Sequence, residues 1–326
     1  MIRKGMSFAR GAMAAFALLI GTLAVLPAGA QQLDQVKLAI GYIPNIQFTP
    51  LYVGMSKGYY QEAGIKLNIE YGFGIDIFSL LQAGKIDLGL SDSDQLIIAG
   101  SKSMGLSAVF QYYQKYPIAI VAKKGVVDTP SQFVGKTIGV PEEFGTSYIG
   151  LKLFLAHYGL TGRVNVQKIG YTQIPSLLSG KIDGAVVFTT NETVKLKQMG
   201  IPFNEWDVKD FSDMVGSSFI SSNRDIAARG DVLNRFLDAT KRAMSFIASN
   251  PGASVDIAMK YIDGVDQSQR SFLENSLLAT SSLFESAKGY GYLDPATYQY
   301  SIGKLKELGL IPQVYDASQI THQLGG

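Results

Sequence analysis

The chain has 326 residues, of which 47% are apolar and 17% are charged, and its formal net charge is +2. This composition is typical of a globular protein large enough for two lobes, and it lacks the basic excess of nucleic-acid-binding proteins. It contains no cysteine and only two histidines, His157 and His322. Disulfides, thiolate metal sites and a cysteine nucleophile are therefore excluded. The two histidines also provide few of the side chains that a hydrolytic triad or a histidine-based zinc site needs.

The first thirty residues are typical of a secretory signal peptide. Three basic residues precede an apolar run over 12–26, and residues 28–30 form a small-residue cleavage site. A membrane anchor is the alternative, but the run is shorter than the roughly 20 residues that a spanning helix needs. Cleavage near Ala30 removes three basic residues and no acidic one, which changes the net charge from +2 to −1. Because there is no cysteine to carry a lipid, we expect a mature protein that is free in the periplasm.

From Val36 the apolar residues alternate between strand-like and helix-like spacing. One predicted helix contains Gly58 as a weak point and ends at Gly64. The alternation is the βαβ pattern of a largely parallel sheet with helices on both faces, which is an α/β fold. The first round predicts strands over 36–42, 66–71, 85–90, 107–112 and 118–123 and helices over 50–63, 75–83 and 95–101.

A second α/β round begins after Gly125, and the pattern becomes helical after Trp206. Because such a tail usually completes one lobe, we predict a discontinuous lobe 1 over 36–121 plus about 214–326, and a lobe 2 over 122–213. The second round predicts strands over 137–140, 164–168 and 184–188, helices over 131–134, 145–157 and 172–178, and tail helices over 229–249, 253–261, 267–279 and 295–308.

One phrase occurs twice along the chain. Residues 80–94 read LLQAGKIDLGLSDSD, and residues 177–192 read LLSGKIDGAVVFTTNE. Each copy predicts the end of a helix, a glycine stop and a buried strand that ends in small polar and acidic residues. Open α/β sheets bind ligands at the carboxyl ends of their strands. We therefore expect two similar lobes that bring these strand ends to one cleft.

Five segments follow predicted strands and should line this cleft. They contain amide, carboxylate and aromatic side chains but no lysine or arginine: 43–48, 91–94, 111–113, 142–148 and 189–192. This composition suits a flat, polar molecule that is neutral or weakly cationic, because rings stack on aromatic faces while acids and amides bind ring amino groups. The candidate substrate-binding residues are Asn45, Phe48, Asp92, Asp94, Tyr113, Ser147, Tyr148, Asn191 and Glu192.

Each polar segment also has a purely structural interpretation. Asp92 and Asp94 precede a predicted helix, where aspartate is a typical cap. Asn191 and Glu192 can begin a helix in the same way. The backbone N–H groups at 145–147 can bind an anion or simply form a tight turn. The joint position of the segments at strand ends, rather than any one of them, predicts the site.

Several of these stretches resemble the solute-binding proteins of ABC importers that carry thiamine-precursor pyrimidines, riboflavin, taurine, other sulfonates and nitrate. The resemblance covers about 36–206 and implies a type II periplasmic-binding-protein fold, with two α/β lobes joined by two crossovers around a central cleft. The rim segments 44–48, 145–148 and 190–192 most resemble the formyl-aminopyrimidine and riboflavin binders. The stretches are GYIPNIQFTPLYVGMSKGYYQEAGI, LLQAGKIDLGLSDSDQLIIA, GKTIGVPEEFGTSYIGLKLFL and GYTQIPSLLSGKIDGAVVFTTNE.

The resemblance implies a receptor rather than an enzyme. The related fungal pyrimidine-precursor synthase has a cysteine-rich motif and uses histidines, whereas this chain has no cysteine. We predict a monomeric binding protein without catalytic residues, cofactor, metal or nucleic-acid partner, which delivers riboflavin or a thiamine-precursor pyrimidine to an ABC permease and its ATPase. A sulfonate, taurine or nitrate binder is the alternative, although the cleft carries acids and no base. A ligand sensor or an enzyme on the same fold is a further alternative.

Overall fold

The computed structural model describes Met1 and residues 32–324, so the predicted signal peptide, apart from Met1, lies outside the described residues. Within residues 32–324 the chain forms two five-stranded sheets. The first sheet contains β1 (Asp34–Ile40), β2 (Ile65–Tyr71), β3 (Leu88–Asp92), β4 (Leu106–Gln111) and β10 (Ser217–Ser222). The second contains β5 (Ile118–Lys123), β6 (Thr137–Val140), β7 (Asn165–Lys168), β8 (Gly184–Phe188) and β9 (Phe203–Asp207).

Most helices of the described range lie where they were predicted, but the helix over 192–198 was not predicted, the predicted helix over 131–134 is a short 3-10 helix, and the helix predicted from 229 begins at Asn223. The stretch predicted as a helix over 50–63 is two helices, because Gly58 has a left-handed φ of 75° that interrupts the helical backbone. The α-helices are α1 (Thr49–Ser56), α2 (Tyr59–Glu62), α3 (Ile77–Gln82), α4 (Ser93–Gly100), α5 (Gly145–His157), α6 (Gln173–Leu178), α7 (Glu192–Gln198), α8 (Asn223–Ser249), α9 (Pro251–Ala258), α10 (Arg270–Phe284) and α11 (Pro295–Glu307).

The two sheets have the same topology, with equivalent strands at each position from one edge to the other. The order is β2-β1-β3-β10-β4 in the first and β7-β6-β8-β5-β9 in the second. In each sheet the fourth strand runs antiparallel to both neighbours, while the first three run parallel. The antiparallel strands β5 and β10 each follow a strand of the other sheet in the chain. The backbone therefore crosses between the sheets twice.

The sheets are more mixed than the sequence pattern predicted. Neither β9 nor β10 was among the predicted strands. The residues of β10 read SSFISS, and all six are buried. Its serines make side-chain hydrogen bonds, for example from Ser221 Oγ to the Asp87 carbonyl at 2.7 Å. Because most of the buried side chains of β10 are polar, its sequence shows no alternation of apolar and polar residues, and the hydrophobic pattern does not predict a strand there.

The repeated phrase occupies equivalent places in the two sheets. Its strands are β3 and β8, which are third in each strand order, and the helices before them are α3 and α6. Gly84 and Gly180 follow these helices with φ values of 64° and 74°. A left-handed residue just after a helix is usually glycine, since a Cβ would be strained there. The prediction that each copy combines a helix, a glycine stop and a strand is confirmed.

Three apolar clusters lie against the two sheets. The cluster on one face of the first sheet combines β1 with tail helices, and includes Leu38 and Leu237. A second cluster takes residues from both sheets, such as Ala39 and Ile120. A third covers the other face of the second sheet and includes Val187 and Leu196. Side chains on both faces of each sheet are therefore buried under helices, as in other α/β proteins.

Candidate functional site

A cavity of about 240 Å³ lies at the carboxyl ends of strands from both sheets. Residues just after β1, β3 and β4 face residues just after β7 and β8 across it. This is where open α/β sheets bind ligands. The lining residues are Ile40, Gly41, Tyr42, Asn45, Gln47, Phe48, Ile77, Leu90, Ser91, Asp92, Tyr112, Tyr113, Tyr171, Gln173, Phe188, Thr190, Asn191, Glu192 and Ser217.

Six of the nine predicted substrate-binding residues line this cavity. They are Asn45, Phe48, Asp92, Tyr113, Asn191 and Glu192. The two copies of the repeated phrase thus contribute to one cavity, through Asp92 on the side of the first sheet and Asn191 and Glu192 on the side of the second. Their assignment to a ligand stays a prediction.

Asp92 presents a carboxylate at the end of β3. Its Oδ1 accepts a hydrogen bond from Ser217 Oγ at 2.6 Å, and its Oδ2 lies 2.7 Å from Thr146 Oγ1. Although Asp92 occupies the N-cap position of α4, its side chain accepts no N–H from that helix. The cap interpretation therefore does not describe this side chain, whose partners instead come from β10 and α5.

Glu192 presents a second carboxylate on the opposite side. Its Oε2 accepts the Phe188 N–H at 2.9 Å, and its Oε1 accepts from Asn191 Nδ2 at 3.0 Å. Burial raises the pKa of Glu192, and these donated hydrogen bonds partly offset the shift. Asn191 is the N-cap residue of α7 but, like Asp92, makes no capping hydrogen bond with its side chain. Both oxygens of Glu192 are thus oriented by the chain itself.

An aromatic and amide wall completes the side formed by the first sheet. Asn45 Oδ1 accepts from the Gln47 N–H at 3.2 Å and holds the turn Ile46–Phe48 in place. Tyr112 donates its hydroxyl to the Gln47 carbonyl at 2.7 Å, and Tyr113 donates to Gln47 Oε1 at 3.2 Å. These bonds fix the tyrosine rings at the cavity wall, where they offer flat apolar surface.

Three aromatic rings connect the two sides beside the cavity, and we call Tyr42, Phe73 and Tyr171 the aromatic bridge; Tyr42 and Tyr171 line the cavity. The Tyr42 and Phe73 ring centroids are 5.1 Å apart in an edge-to-face arrangement, and those of Phe73 and Tyr171 are 5.9 Å apart. Phe73 is 57% exposed and Tyr171 is 66% exposed. Phe73 follows β2 and Tyr171 follows β7, which are equivalent edge strands of the two sheets. The aromatic bridge therefore spans the cleft with two largely exposed rings, Phe73 and Tyr171, while Tyr42 also packs against the cluster of the first sheet.

The other three predicted residues lie outside the cavity lining. Asp94 is fully buried next to Asp92. Ser147 is buried in the first turn of α5. Tyr148 packs against the shared apolar cluster, with Lys152 Nζ 5.2 Å from its ring centroid. All three lie in the first turn of a helix, α4 or α5, rather than at the end of a strand.

Sequence reasoning also missed several lining residues. Tyr171 and Gln173 follow β7, so the strand-end rule applied to that strand would have found them. Tyr42 and Gln47 lie in or beside the first rim segment but were not selected. Ser217 gave no such signal, because its strand β10 was not predicted.

The charge of the lining is acidic. Asp92 and Glu192 are its charged residues, and lysine and arginine do not occur among the lining residues of this described cavity. The first turn of α5, a possible anion site, has Thr146 Oγ1 within 2.7 Å of Asp92 Oδ2 and 2.9 Å of Asp94 Oδ1. The chain's own carboxylates thus occupy this position, which disfavours an anionic ligand there.

A family model described as NMT1/THI5 like matches residues 45–254. The chain belongs to the NMT1/THI5-like family. The riboflavin-binding protein RibY of Chloroflexus aurantiacus is 29% identical over 307 residues, which cover 91% of this chain and 88% of that protein. The formylaminopyrimidine-binding protein of Halalkalibacterium halodurans is 25% identical over 70% of this chain and 71% of its own length. The family resemblance seen in the sequence is thereby confirmed.

Other members of this family are enzymes by name. The 4-amino-5-hydroxymethyl-2-methylpyrimidine phosphate synthase THI5 of Saccharomyces cerevisiae is 21% identical over 86% of this chain and 85% of its own length. Among solved structures, the periplasmic aliphatic sulphonate binding protein SsuA of Escherichia coli matches with a TM-score of 0.70 at 13% identity, covering 88% of this chain and 97% of SsuA. The predicted periplasmic-binding-protein fold is therefore confirmed.

Proposed function

We propose that this protein is the extracytoplasmic solute-binding component of an ABC importer and that it captures a small aromatic heterocycle, either riboflavin or a thiamine-precursor pyrimidine. The observation that carries the proposal is the cavity itself, with an acidic side chain on each side, tyrosine and phenylalanine rings between them, and neither lysine nor arginine in its lining. Aromatic walls stack on flat rings, and carboxylates accept ring N–H and amino groups. The riboflavin- and pyrimidine-binding relatives support the same ligand class.

The proposed mechanism is closure of two lobes around the ligand. Lobe 1 is formed by 36–121 plus about 214–326, and lobe 2 by 122–213. A ligand that contacts Asp92 on one lobe and Glu192 on the other stabilises the closed state, since it binds that state more tightly than the open one. The permease then distinguishes the closed, loaded receptor from the open one. The further contacts that we propose come from Asn45, Phe48, Tyr113 and Asn191.

The proposed location is the periplasm, after cleavage of a signal peptide near Ala30, and the proposed partners are an ABC permease and its ATPase. Within the described residues, none of the helices combines the length and apolarity needed to cross a membrane. The protein is proposed to act as a monomer, because closure of one chain completes the cavity.

An enzymatic function is the second candidate, because some relatives are synthases. The two histidines argue against it. His157 stacks on Phe211 with ring centroids 4.4 Å apart, and neither His157 nor His322 is among the lining residues of the cavity. The carboxyl groups of the cavity are held by hydrogen bonds from the chain, an arrangement that suits recognition of a ligand.

Binding calorimetry on the mature protein tests the ligand class. Riboflavin or a 5-substituted 4-aminopyrimidine is expected to bind with a Kd near 1 μM or below, which needs about 8 kcal/mol. Taurine and nitrate are expected not to bind, since an anion finds carboxylates and no cation in the cavity. Tight binding of taurine or nitrate, together with failure of both heterocycles, would show that the proposed ligand class is wrong.

The aromatic bridge predicts an effect on ligand release. Because aromatic pairs contribute about 0.5–1.5 kcal/mol, Phe73→Ala is expected to speed dissociation by about two- to tenfold without changing the melting temperature. Stopped-flow fluorescence with the bound ligand measures this rate. Phe144→Ala is the matched control, since Phe144 is 70% exposed, compared with 57% for Phe73, and is not part of the aromatic bridge. Equal rates for the two variants would contradict a role for Phe73.

A further inference from the structure

Four side chains form a buried cluster behind the cavity and join the two sheets. We call Asp92, Asp94, Tyr116 and Thr146 the carboxyl cluster. Asp92 ends β3, Asp94 lies in the first turn of α4, Thr146 lies in the first turn of α5, and Tyr116 belongs to the crossing segment between β4 and β5. Asp94 and Tyr116 are 0% and 1% exposed, whereas Asp92 reaches the cavity. The cluster therefore connects the ligand site to the contact between α4 and α5.

The oxygen atoms of the cluster lie at hydrogen-bonding distances. Thr146 Oγ1 is 2.7 Å from Asp92 Oδ2 and 2.9 Å from Asp94 Oδ1. Tyr116 Oη is 2.6 Å from Asp94 Oδ2 and 3.0 Å from the Thr146 carbonyl oxygen. Gln95 Nε2 adds a donor to Asp94 Oδ1 at 3.0 Å. Thr146 Oγ1 thus lies between two carboxyl groups although it carries a single proton.

A count of protons shows what this geometry requires. A threonine hydroxyl donates one hydrogen bond and accepts others, while an ionised carboxylate only accepts. If both Asp92 and Asp94 were ionised, one of the two contacts to Thr146 Oγ1 would place oxygen lone pairs against each other. One carboxyl proton removes the conflict: Asp94 donates to Thr146, Thr146 donates to Asp92, and Tyr116 donates to Asp94. The Thr146 carbonyl can be satisfied inside α5.

Burial decides which of the two acids holds the proton. Asp94 has no exposed surface, whereas Asp92 lies at the cavity, where its Oδ1 is also stabilised by Ser217 Oγ at 2.6 Å. An ionised carboxyl group costs more free energy at a site shielded from water than at the surface of the cavity. In agreement, the pKa of Asp94 is raised to about 7, mainly by burial and to a smaller extent by the charge of the nearby Asp92.

The elements packed around Asp94 carry other polar and titratable groups that affect the pKa of Asp94. From β3 comes Asp92, the charged neighbour, and from the crossing segment comes Tyr116, whose own pKa is raised by burial and by both acids. From α11 comes Tyr298, whose hydroxyl lies 3.2 Å from Ser93 Oγ. On α5, Lys152 lies over the Tyr148 ring. The anion nearest to Asp94 is thus Asp92, which opposes its ionisation.

We propose that Asp94 is a positioning residue that stays protonated when the cleft is closed, and that its proton orders Thr146 so that Asp92 faces the ligand as the single carboxylate of the carboxyl cluster. This inference rests on the proposed function. Loss of the proton leaves Thr146 with one proton for two carboxylates, so one of its two hydrogen bonds is lost, and it adds a second anion behind Asp92. The closed, loaded state is then disfavoured, and capture of a ligand at high pH takes up a proton.

The first test needs no ligand. A carboxyl group whose pKa is higher in the folded than in the unfolded chain binds protons more tightly when folded, so it makes the protein less stable as the pH rises from about 4 to above 7. The urea midpoint of the parent is therefore expected to fall between pH 5 and 8 relative to that of Asp94→Asn, whose amide keeps a donor for Thr146 when the Gln95 side-chain amide turns its oxygen toward it. Asp263→Asn, at an exposed position, is the matched control. A parallel pH dependence in the parent and Asp94→Asn would overturn the inference.

The second test measures affinity for riboflavin and a 4-aminopyrimidine at pH 6.0 and 8.5. The affinity of the parent for its ligand is expected to fall by up to about tenfold for each pH unit above the pKa of Asp94. Binding is also expected to take up close to one proton per ligand, which is measured in buffers of different ionisation enthalpy. Asp94→Asn is expected to bind equally at both pH values. Thr146→Val is expected to bind weakly at both, and Thr146→Ser to behave like the parent.

The two tests separate this inference from the proposed function. If neither heterocycle binds at pH 6.0, the proposed function fails, and the urea experiment alone decides whether Asp94 holds a proton. If ligand binds the parent with equal affinity at both pH values and without proton uptake, the proposed function stands and the positioning role of Asp94 is wrong.

Discussion

Replacing Glu192 by glutamine is expected to weaken ligand binding by about ten- to a hundredfold. A hydrogen bond to a charged group contributes roughly 1.5–3 kcal/mol, and the substitution removes the charge while keeping the size of the side chain. Glutamine Oε1 can still accept the Phe188 N–H that Glu192 Oε2 accepts at 2.9 Å, so α7 should keep its position. The melting temperature is therefore expected to stay near that of the parent.

The matching change on the other side of the cavity is Asp92→Asn. If both carboxylates hold one ligand, each single variant loses affinity, and ligand-induced compaction measured by small-angle scattering is lost in each. Glu205→Gln is the control, because Glu205 lies on β9 in an ion pair with Lys197 and outside the cavity lining. A loss confined to one side would mean that one lobe alone forms the binding site. Affinity unchanged in both variants would leave the carboxylates with structural roles only.

The sequence predicted much of the fold because the central strands β3 and β8 are apolar and follow glycine-terminated helices. β3 and β8 were found from the repeated phrase, and α5 was predicted over its observed range, residues 145–157. The strand β10 was not found, since its burial depends on serines that are satisfied by distant groups. Ser218 Oγ, for example, lies 2.6 Å from Ser93 Oγ and 2.8 Å from Tyr298 Oη. Such pairing depends on residues far apart in the chain and leaves no local pattern.

The candidate site was predictable where a side chain follows a strand directly. Asp92, the last residue of β3, is of this kind and lines the cavity. Asp94 is two residues further along, and the turn into α4 places it behind Asp92 instead. Phe73 comes two residues after β2, so the strand-end rule applies to it, but its contacts with Tyr42 and with Tyr171 across the cleft depend on tertiary packing. Sequence spacing thus locates strand ends, but tertiary packing decides which side chains share a cavity.

The proposed division into lobes makes a prediction about where the chain loses stability. Leu237 lies on α8 in the cluster that also contains residues of β1, β3 and β4, whereas Leu196 lies on α7 in the cluster of β5 and β8. Both side chains are fully buried. Since truncation of a buried leucine to alanine costs about 2–5 kcal/mol, each variant should be strongly destabilised.

Native-state hydrogen exchange separates the two effects. If the tail belongs to lobe 1, Leu237→Ala is expected to speed amide exchange in β1 and β3 by about thirty- to five-thousandfold while β8 stays protected, and Leu196→Ala is expected to do the reverse. The pair is matched, since the same atoms are removed from sites of equal burial. The competing outcome, in which the two sheets open together, arises because one apolar cluster contains side chains of both sheets, such as Ala39 and Ile120. Equal acceleration in both sheets by either variant would show that the described chain opens as one cooperative unit, and the proposed boundaries at 121 and 214 would then not be boundaries of stability.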